Sequence, residues 1–347
     1  MKFAWAPGLC LKMENLQNTK STKLQIKVSL LSLPPSFRGR KLMRNLFFGV
    51  LLFNVVWVQT LTIHSPQLLT VAKQAAIAAG VLIAASTPAL KQTKLNSRDV
   101  LTQTDLNAER VIKETILATF PAHPILSEED VEPGAACSAV ALDKFLTLDH
   151  DNAEYGWIVD PLDGTTNFLH SLEHSAPSIA CVHLKTREVV AGAIFDPYKK
   201  ELFHASTGKG AFLNDVKVTQ KLDQATLVLS QSLVAMGSPP AKESLEMSRK
   251  GSSVLMDKVR SLRMTGSAAL MLAYVGIARF DAYWEYDLSS WDVSAGNLFI
   301  RESGGDVVTI STGESCKIDD RQILAFRNGG KSMSNELRAT LNNAGVI

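Results

Sequence analysis

An α/β fold is what this chain predicts, and three features of its apolar patterning carry that reading. Apolar residues first recur at spacings of three and four, as along one face of a helix. A block of short apolar runs broken by turn residues follows, and helical spacing then resumes. At 347 residues, with 46% hydrophobic and 20% charged residues, the composition is that of a globular protein with one large domain or two ordinary ones.

Residues 1–64 stand apart as an N-terminal extension, and residues 65–347 carry the fold. The extension holds nine Lys/Arg against one acid, Glu14, and ends in an apolar run at residues 46–58 (LFFGVLLFNVVWV) interrupted only by Gly49 and Asn54. A membrane-spanning helix needs roughly 20 apolar residues, and this run is shorter. Basic residues ahead of a short apolar run resemble a secretory signal, with Met43 as an alternative start, yet no A-x-A cleavage site follows. A targeting or anchoring segment and an over-long start or disordered extension both stay open.

In the second region the spacing of Leu68, Leu69, Ala72, Ala75, Ala76, Ala79, Leu82 and Ile83 predicts a helix over residues 65–83. A second helix is expected over 105–118, with Leu106, Ala108, Val111, Ile112, Ile116 and Leu117 on its apolar side and Phe120-Pro121 ending it. Asp105 opens that helix, either capping it or offered to a ligand. Residues 130–156 lack a sustained period and contain Pro133-Gly134, so they read as a loop with one short helix at 140–148. Strands are expected at 157–159, 178–183, 189–195, 201–205 and 211–213, and helices at 243–250, 267–275 and 292–303.

The formal charge of +2 hides an acidic body: outside the extension, 27 basic and 33 acidic residues leave −6. That balance argues against a nucleic-acid partner, which needs clustered base on the folded part. Cys10, Cys137, Cys181 and Cys316 are far apart and form no CxxC pair, so neither a zinc site nor a disulfide framework is indicated.

The chemistry is concentrated in carboxylates beside structure breaks: Asp105, Glu128 and Glu129, Asp160, Asp163, and Asp292. Were several of these to converge without a cation, repulsion would keep some protonated, so convergence implies a bound metal. All-oxygen donors favour Mg²⁺, Mn²⁺ or Ca²⁺ over zinc or copper. In Asp160-Pro161-Leu162-Asp163-Gly164-Thr165-Thr166, proline stiffens the turn, and glycine leaves room for close backbone approach. The N–H groups of Gly164 and Thr165 are then placed to meet a phosphate at a helix start.

Glu128-Glu129, residues 160–168 and residues 291–296 followed by Glu302-Ser303-Gly304-Gly305 occur in this order. Together with Thr102-Gln103-Thr104-Asp105 upstream and Gly208-Lys209-Gly210-Ala211-Phe212-Leu213-Asn214 between, they closely resemble the inositol monophosphatase family over residues 66–347. Thr165-Thr166-Asn167-Phe168 followed by His170 is closer to that pattern than to the G-T-K or G-T-R of histidinol-phosphate and adenosine bisphosphate phosphatases. The resemblance implies a layered αβαβα sandwich of the inositol monophosphatase and fructose-1,6-bisphosphatase type. It also implies two or three Mg²⁺ ions: one on Glu128, Asp160 and the Leu162 carbonyl, one on Asp160, Asp163 and Asp292, and a weaker one near Glu128. Asp105, Thr165 and Glu128 take catalytic roles in that picture, Asp105 and Thr165 orienting and deprotonating the attacking water. Substrate contacts fall on Asp163, Gly164, Thr165, Gly266, Ser267, Ala268, Glu285 and Asp292. The implied reaction is hydrolysis of a small phosphomonoester, myo-inositol 1-phosphate first. Lithium sensitivity, a homodimer, a cytoplasmic catalytic domain, and membrane association only through the extension complete the expectation.

Departures from the family pattern are Ser127 for glycine, Ser303 for alanine, Leu172-Glu173-His174 for an aromatic-proline step, and a longer segment between Glu128 and Asp160. None is an expected metal ligand. His170-Ser171-Leu172-Glu173-His174 matches the zinc pattern H-x-x-E-H, but that chemistry needs one long helix face, and Pro177 follows closely. Asp196-Pro197 reads as a turn, and Gly208-Lys209-Gly210 as a tight hairpin, since it lacks P-loop spacing.

Overall fold

Alanines set how the first helix packs. In the computed structural model, which describes residues 66–148, 150, 153–220 and 227–347, Ala72, Ala75, Ala76 and Ala79 form the fully buried stripe of α1 (Pro66–Ala85). Side chains this small let the helix lie close to a sheet. The helix is long and apolar enough to cross a membrane by length and composition, but its apolar stripe is spent on the core. The extension, with its apolar run, lies outside the described residues, which all belong to one unit, Ile63–Ile347.

A two-stranded hairpin, β1 (Leu90–Thr93) and β2 (Val100–Thr102), leads into α2 (Gln103–Thr119). Then comes a seven-stranded sheet in sequential order: β3 (Ile125–Ser127), β4 (Tyr155–Asp163), β5 (Ala176–His183), β6 (Glu188–Asp196), β7 (Glu201–Ser206), β8 (Gly210–Leu213) and β9 (Val216–Lys217). The β3–β4 pair is parallel and the others antiparallel. Two helices interrupt this run, α3 (Ala135–Thr147) before β4 and α4 (Thr165–Leu169) after it.

A second sheet has the order β11 (Ser261–Arg263), β10 (Leu233–Met236), β12 (Ala282–Glu285), β14 (Ile323–Phe326), β13 (Asp306–Thr309). Its helices are α5 (Lys242–Met256), α6 (Ala268–Gly276), α7 (Ser290–Glu302) and α8 (Lys331–Asn343).

The side-chain alternation of the strands defines the layers. On β4, Trp157 and Val159 face α1 and α2, while Ile158 faces the core that holds α6 and α7. On β12, Tyr283 joins that same central core, whereas Ala282 and Trp284 pack with Leu255 of α5 and Leu337 and Leu341 of α8. Every residue of α6 is buried, as a helix covered by sheets on both sides requires. The result is a five-layer αβαβα sandwich, as expected.

The strands expected between 157 and 213 and all the expected helices are present, with one correction. Residues 135–139, read as loop, are the first turns of α3, which begins after Gly134 at φ 111° and runs to Thr147. The H-x-x-E-H segment is no helix face: α4 ends at Leu169, His170 caps it, and Ser171 has φ 57°. Asp196 Oδ1 accepts the N–H groups of Tyr198 and Lys199, each at 3.0 Å, closing the expected turn. The Gly208–Gly210 turn joins β7 to β8 as a hairpin, its amides held by Glu302 at 2.8 and 2.7 Å.

Candidate active site

The site grows from the end of β4. Its ladder with β5 runs regularly to Asp160↔Ser178 and then slips to Asp163↔Ala176, at the point where Pro161 has no N–H to give. The slip leaves Asp160 buried, at 1% exposure, and Asp163 half-buried. Asp160 Oδ1 accepts the Leu162 N–H at 3.0 Å.

Gly164 then turns the chain at φ 93°, where a Cβ would stand 3.0 Å from the His174 carbonyl oxygen and 3.2 Å from that of Gly266. Asn167 pins the same corner, its Nδ2 donating to the carbonyls of His174 (2.8 Å) and Thr265 (2.7 Å). Gly164→Ala is expected to cost about 1–3 kcal/mol from the left-handed backbone alone. The crowding adds to that, and a denaturant-unfolding midpoint equal to that of the parent protein would contradict it.

Asp105 caps its helix and also faces Thr165. As the third residue of α2, its Oδ2 accepts the Thr102 N–H at 2.9 Å in a capping box. Its Oδ1 lies 2.9 Å from the Thr165 hydroxyl, which also lies 3.0 Å from the Leu162 carbonyl.

Glu128 follows β3, whose parallel register pairs Ser127 with Val159 and so sets Glu128 beside Asp160. Asp292 sits in the first turn of α7, with Oδ2 accepting the Ser289 N–H at 2.7 Å. One carboxylate oxygen each from Glu128, Asp160 and Asp292 falls within 4.8 Å of the others. Asp163 is turned toward α6, accepting from the Ser267 hydroxyl (2.5 Å) and the Ala269 N–H (2.7 Å).

Burial, and then the neighbouring carboxylates Glu128 and Asp163, push Asp160 and Asp292 well above the usual aspartate range. Burial raises Asp163 to about 6 against its hydrogen bonds from Ser267 and α6, and raises Asp105 against those from Thr102 and Thr165. Glu129 is pushed up to about 8 by burial and by Glu128. Lys94, at the end of the β1 hairpin arm, places Nζ 2.7 Å from Glu128 and 2.9 Å from Glu129. Burial works against its charge, yet the two carboxylates hold its pKa above the ordinary lysine value. This lysine escaped the sequence reading because nothing in its local pattern marks it.

A cavity of about 560 Å³ opens beside these carboxylates, its wall including Asp163, Gly266, Ala268, Glu285, Asp287 and Asp292. Ser267 caps α6 at its edge, accepting the Leu270 N–H at 3.3 Å. Glu285, 8% exposed and raised to about 8 by burial, ends β12 and accepts a hydrogen bond from the Tyr283 hydroxyl. The structure thus gathers Glu128, Asp160 and Asp292 into one oxygen cluster, pairs Asp105 with Thr165 next to it, and sets Gly266, Ala268 and Glu285 on the cavity wall. The Leu162 carbonyl faces the Thr165 hydroxyl.

The inositol monophosphatase family model matches residues 65–343. This chain belongs to that family. Within it, the inositol-1-monophosphatase of Rhizobium meliloti is 36% identical over 247 residues, 69% of this chain and 84% of that protein. Nus factor SuhB of Escherichia coli K12 is 35% identical over 281 residues, 80% of this chain and 98% of that protein. Among solved structures, the inositol monophosphatase of Anabaena superposes with a TM-score of 0.65 at 30% identity, covering 80% of this chain and 96% of the other. The five-layer sandwich is therefore an inositol monophosphatase fold, and membership supports phosphomonoesterase activity on a small-molecule phosphate. The family is generally metal-dependent, and Glu128, Asp160 and Asp292 form an acidic cluster in this chain.

Proposed function

We propose that residues 65–347 form the catalytic domain of a Mg²⁺-dependent phosphomonoesterase with myo-inositol 1-phosphate as its leading substrate. The observation that carries this reading is the convergence of Glu128, Asp160 and Asp292 beside the Thr165–Asp105 pair. The donor set fits a hard cation, since it is all oxygen and gathers acids whose burial and mutual repulsion disfavour their charged forms. Glu128, Asp160, Asp163, Asp292 and the Leu162 carbonyl would hold the ions. When bound, magnesium polarises phosphoryl oxygens, lowers the pKa of water and stabilises the leaving alkoxide.

The chain's own groups do the rest. The Thr165 hydroxyl orients the attacking water, and Asp105, hydrogen-bonded to it, takes the proton. Amides of Gly164 and Thr165 hold phosphate oxygens, while Gly266, Ser267, Ala268 and Glu285 face the alcohol. As the water oxygen bonds to phosphorus, the ester bond opposite it breaks and the leaving alkoxide takes a proton from solvent water, with no covalent enzyme intermediate.

The test is phosphate release by the full chain, with and without Mg²⁺, across inositol 1-phosphate, fructose 1,6-bisphosphate, histidinol phosphate and adenosine 3′,5′-bisphosphate. Metal-dependent turnover highest on inositol 1-phosphate is the expected result. Folded, Mg²⁺-binding protein that releases phosphate from none of the four would overturn the reading. Relatives named Nus factor SuhB favour a second one, a regulatory or binding protein on the same scaffold. Its mark would be a cellular role that survives the loss of turnover in Asp160→Asn. The first reading also carries lithium inhibition, a homodimer, and a cytoplasmic catalytic domain with export or anchoring only through residues 43–65. A lithium titration, sedimentation and cell fractionation check these in turn.

A further inference from the structure

We infer that Tyr283 and Gly237 are positioning residues that set which alcohol the site accepts, by fixing the carboxyl of Glu285 in the cavity wall. The inference rests on the reading that Glu285 faces the substrate's alcohol. The parallel register of β10 and β12 pairs Met236 with Trp284, and the Gly237 N–H reaches the Trp284 carbonyl at 3.4 Å, so residue 237 comes to lie beside residue 285. A Cβ at Gly237 would stand 1.7 Å from Glu285 Cδ and within 1.9 Å of both carboxyl oxygens. The carboxyl thus fills the space of a missing side chain.

From the other side the Tyr283 hydroxyl donates to Glu285 Oε2. Tyr283 and Glu285 are two residues apart on one strand and share a face. The tyrosine ring is fully buried in the central core, so it cannot swing away from the carboxyl. The backbone of Ser238 adds a further hydrogen bond. Glu285 is therefore held before any substrate arrives, and a carboxyl preset in this way discriminates alcohols by the hydroxyl each offers. Neither Tyr283 nor Gly237 hydrogen-bonds to Glu128, Asp160, Asp163, Asp292 or Thr165 among the described contacts, although the charges of Asp163 and Asp292 act on Tyr283 and that of Asp163 on Glu285.

The test is steady-state kinetics on the Mg²⁺-loaded full chain, comparing Tyr283→Phe, Gly237→Ala and Glu285→Gln. Losing the tyrosine hydroxyl, or pushing the carboxyl aside with a methyl group, is expected to raise KM for inositol 1-phosphate about tenfold while kcat changes less than about twofold. The inhibition constant of inorganic phosphate, which reports on the phosphate half of the site alone, should not move. If Glu285→Gln leaves KM unchanged, the role given to Glu285 is what fails. If that variant raises KM but Tyr283→Phe and Gly237→Ala match the parent, the positioning inference is wrong. A parallel rise in the phosphate inhibition constant would mean general damage to the site and would also overturn it. Should Tyr283→Phe not fold, Gly237→Ala decides.

Discussion

Asp160→Asn is expected to lower Mg²⁺-dependent phosphate release by about a thousandfold, the rate equivalent of the several kcal/mol a Lewis acid supplies. Asp160 is the member of the cluster most enclosed by protein, and Glu128, Asp163, Asp292 and Glu129 all act on its charge. Asparagine keeps the shape and can still accept the Leu162 N–H that Asp160 Oδ1 accepts at 3.0 Å. What it removes is the negative charge that draws a cation. The same substitution should raise the melting temperature in EDTA, because it replaces a buried acid, which can be accommodated in the fold only by keeping its proton or by repelling its neighbours, with a group that is neutral at every pH. Activity lost together with stability would point instead to a damaged fold, and activity retained would refute the metal reading.

In the absence of divalent cations the protein should become less stable as pH rises from about 4, the unfolded carboxylate value, toward about 6 for Asp163 and about 8 for Glu129. These acids are raised in the folded state, so across that window the folded protein keeps protons that the unfolded chain has already released. Their stabilising contribution is complete below the unfolded value and is lost as pH climbs through the folded one. Asp160, Asp292 and Asp105 are shifted the same way and act in the same direction. Magnesium should flatten the slope, since it stabilises the ionised cluster, and should raise the melting temperature by mass action. A smaller slope should persist from Glu285, which is raised to about 8 by burial on the other sheet. Calorimetry between pH 5 and 8, in EDTA and in Mg²⁺, measures both. A flat melting curve in EDTA would contradict the electrostatics described here.

Strands β4 to β8 of the first sheet were legible because they are punctuated by turn signals such as Asp196-Pro197 and Gly208-Lys209-Gly210, whereas its edge strands β3 and β9, of three and two residues, were not. The second sheet left no comparable trace. Its strands have at most four residues, and those in the middle are covered on both faces, so no alternation marks them. Helix α8, though amphipathic, also went unread.

At the site, the carboxylates were visible as acids beside structure breaks, but nothing in local spacing says that Asp292 meets Asp160. The family resemblance supplied that expectation, and in the structure one carboxylate oxygen each of Glu128, Asp160 and Asp292 lies within 4.8 Å of the others. Lys94, Gly237 and Tyr283 are invisible in sequence for one reason: their importance lies in the partner, and each partner is brought by a register or a hairpin.

The acidic cluster draws one oxygen donor from behind β3, one from the end of β4 and one from α7, which is the penultimate helix among the described residues. A nascent chain emerging from the ribosome would therefore carry the first two long before the third. On the proposed reading, cation binding would report that synthesis has passed α7 and that this helix has docked between the sheets. In refolding, the return of metal affinity should trail the return of strand structure and mark the completion of the central layer.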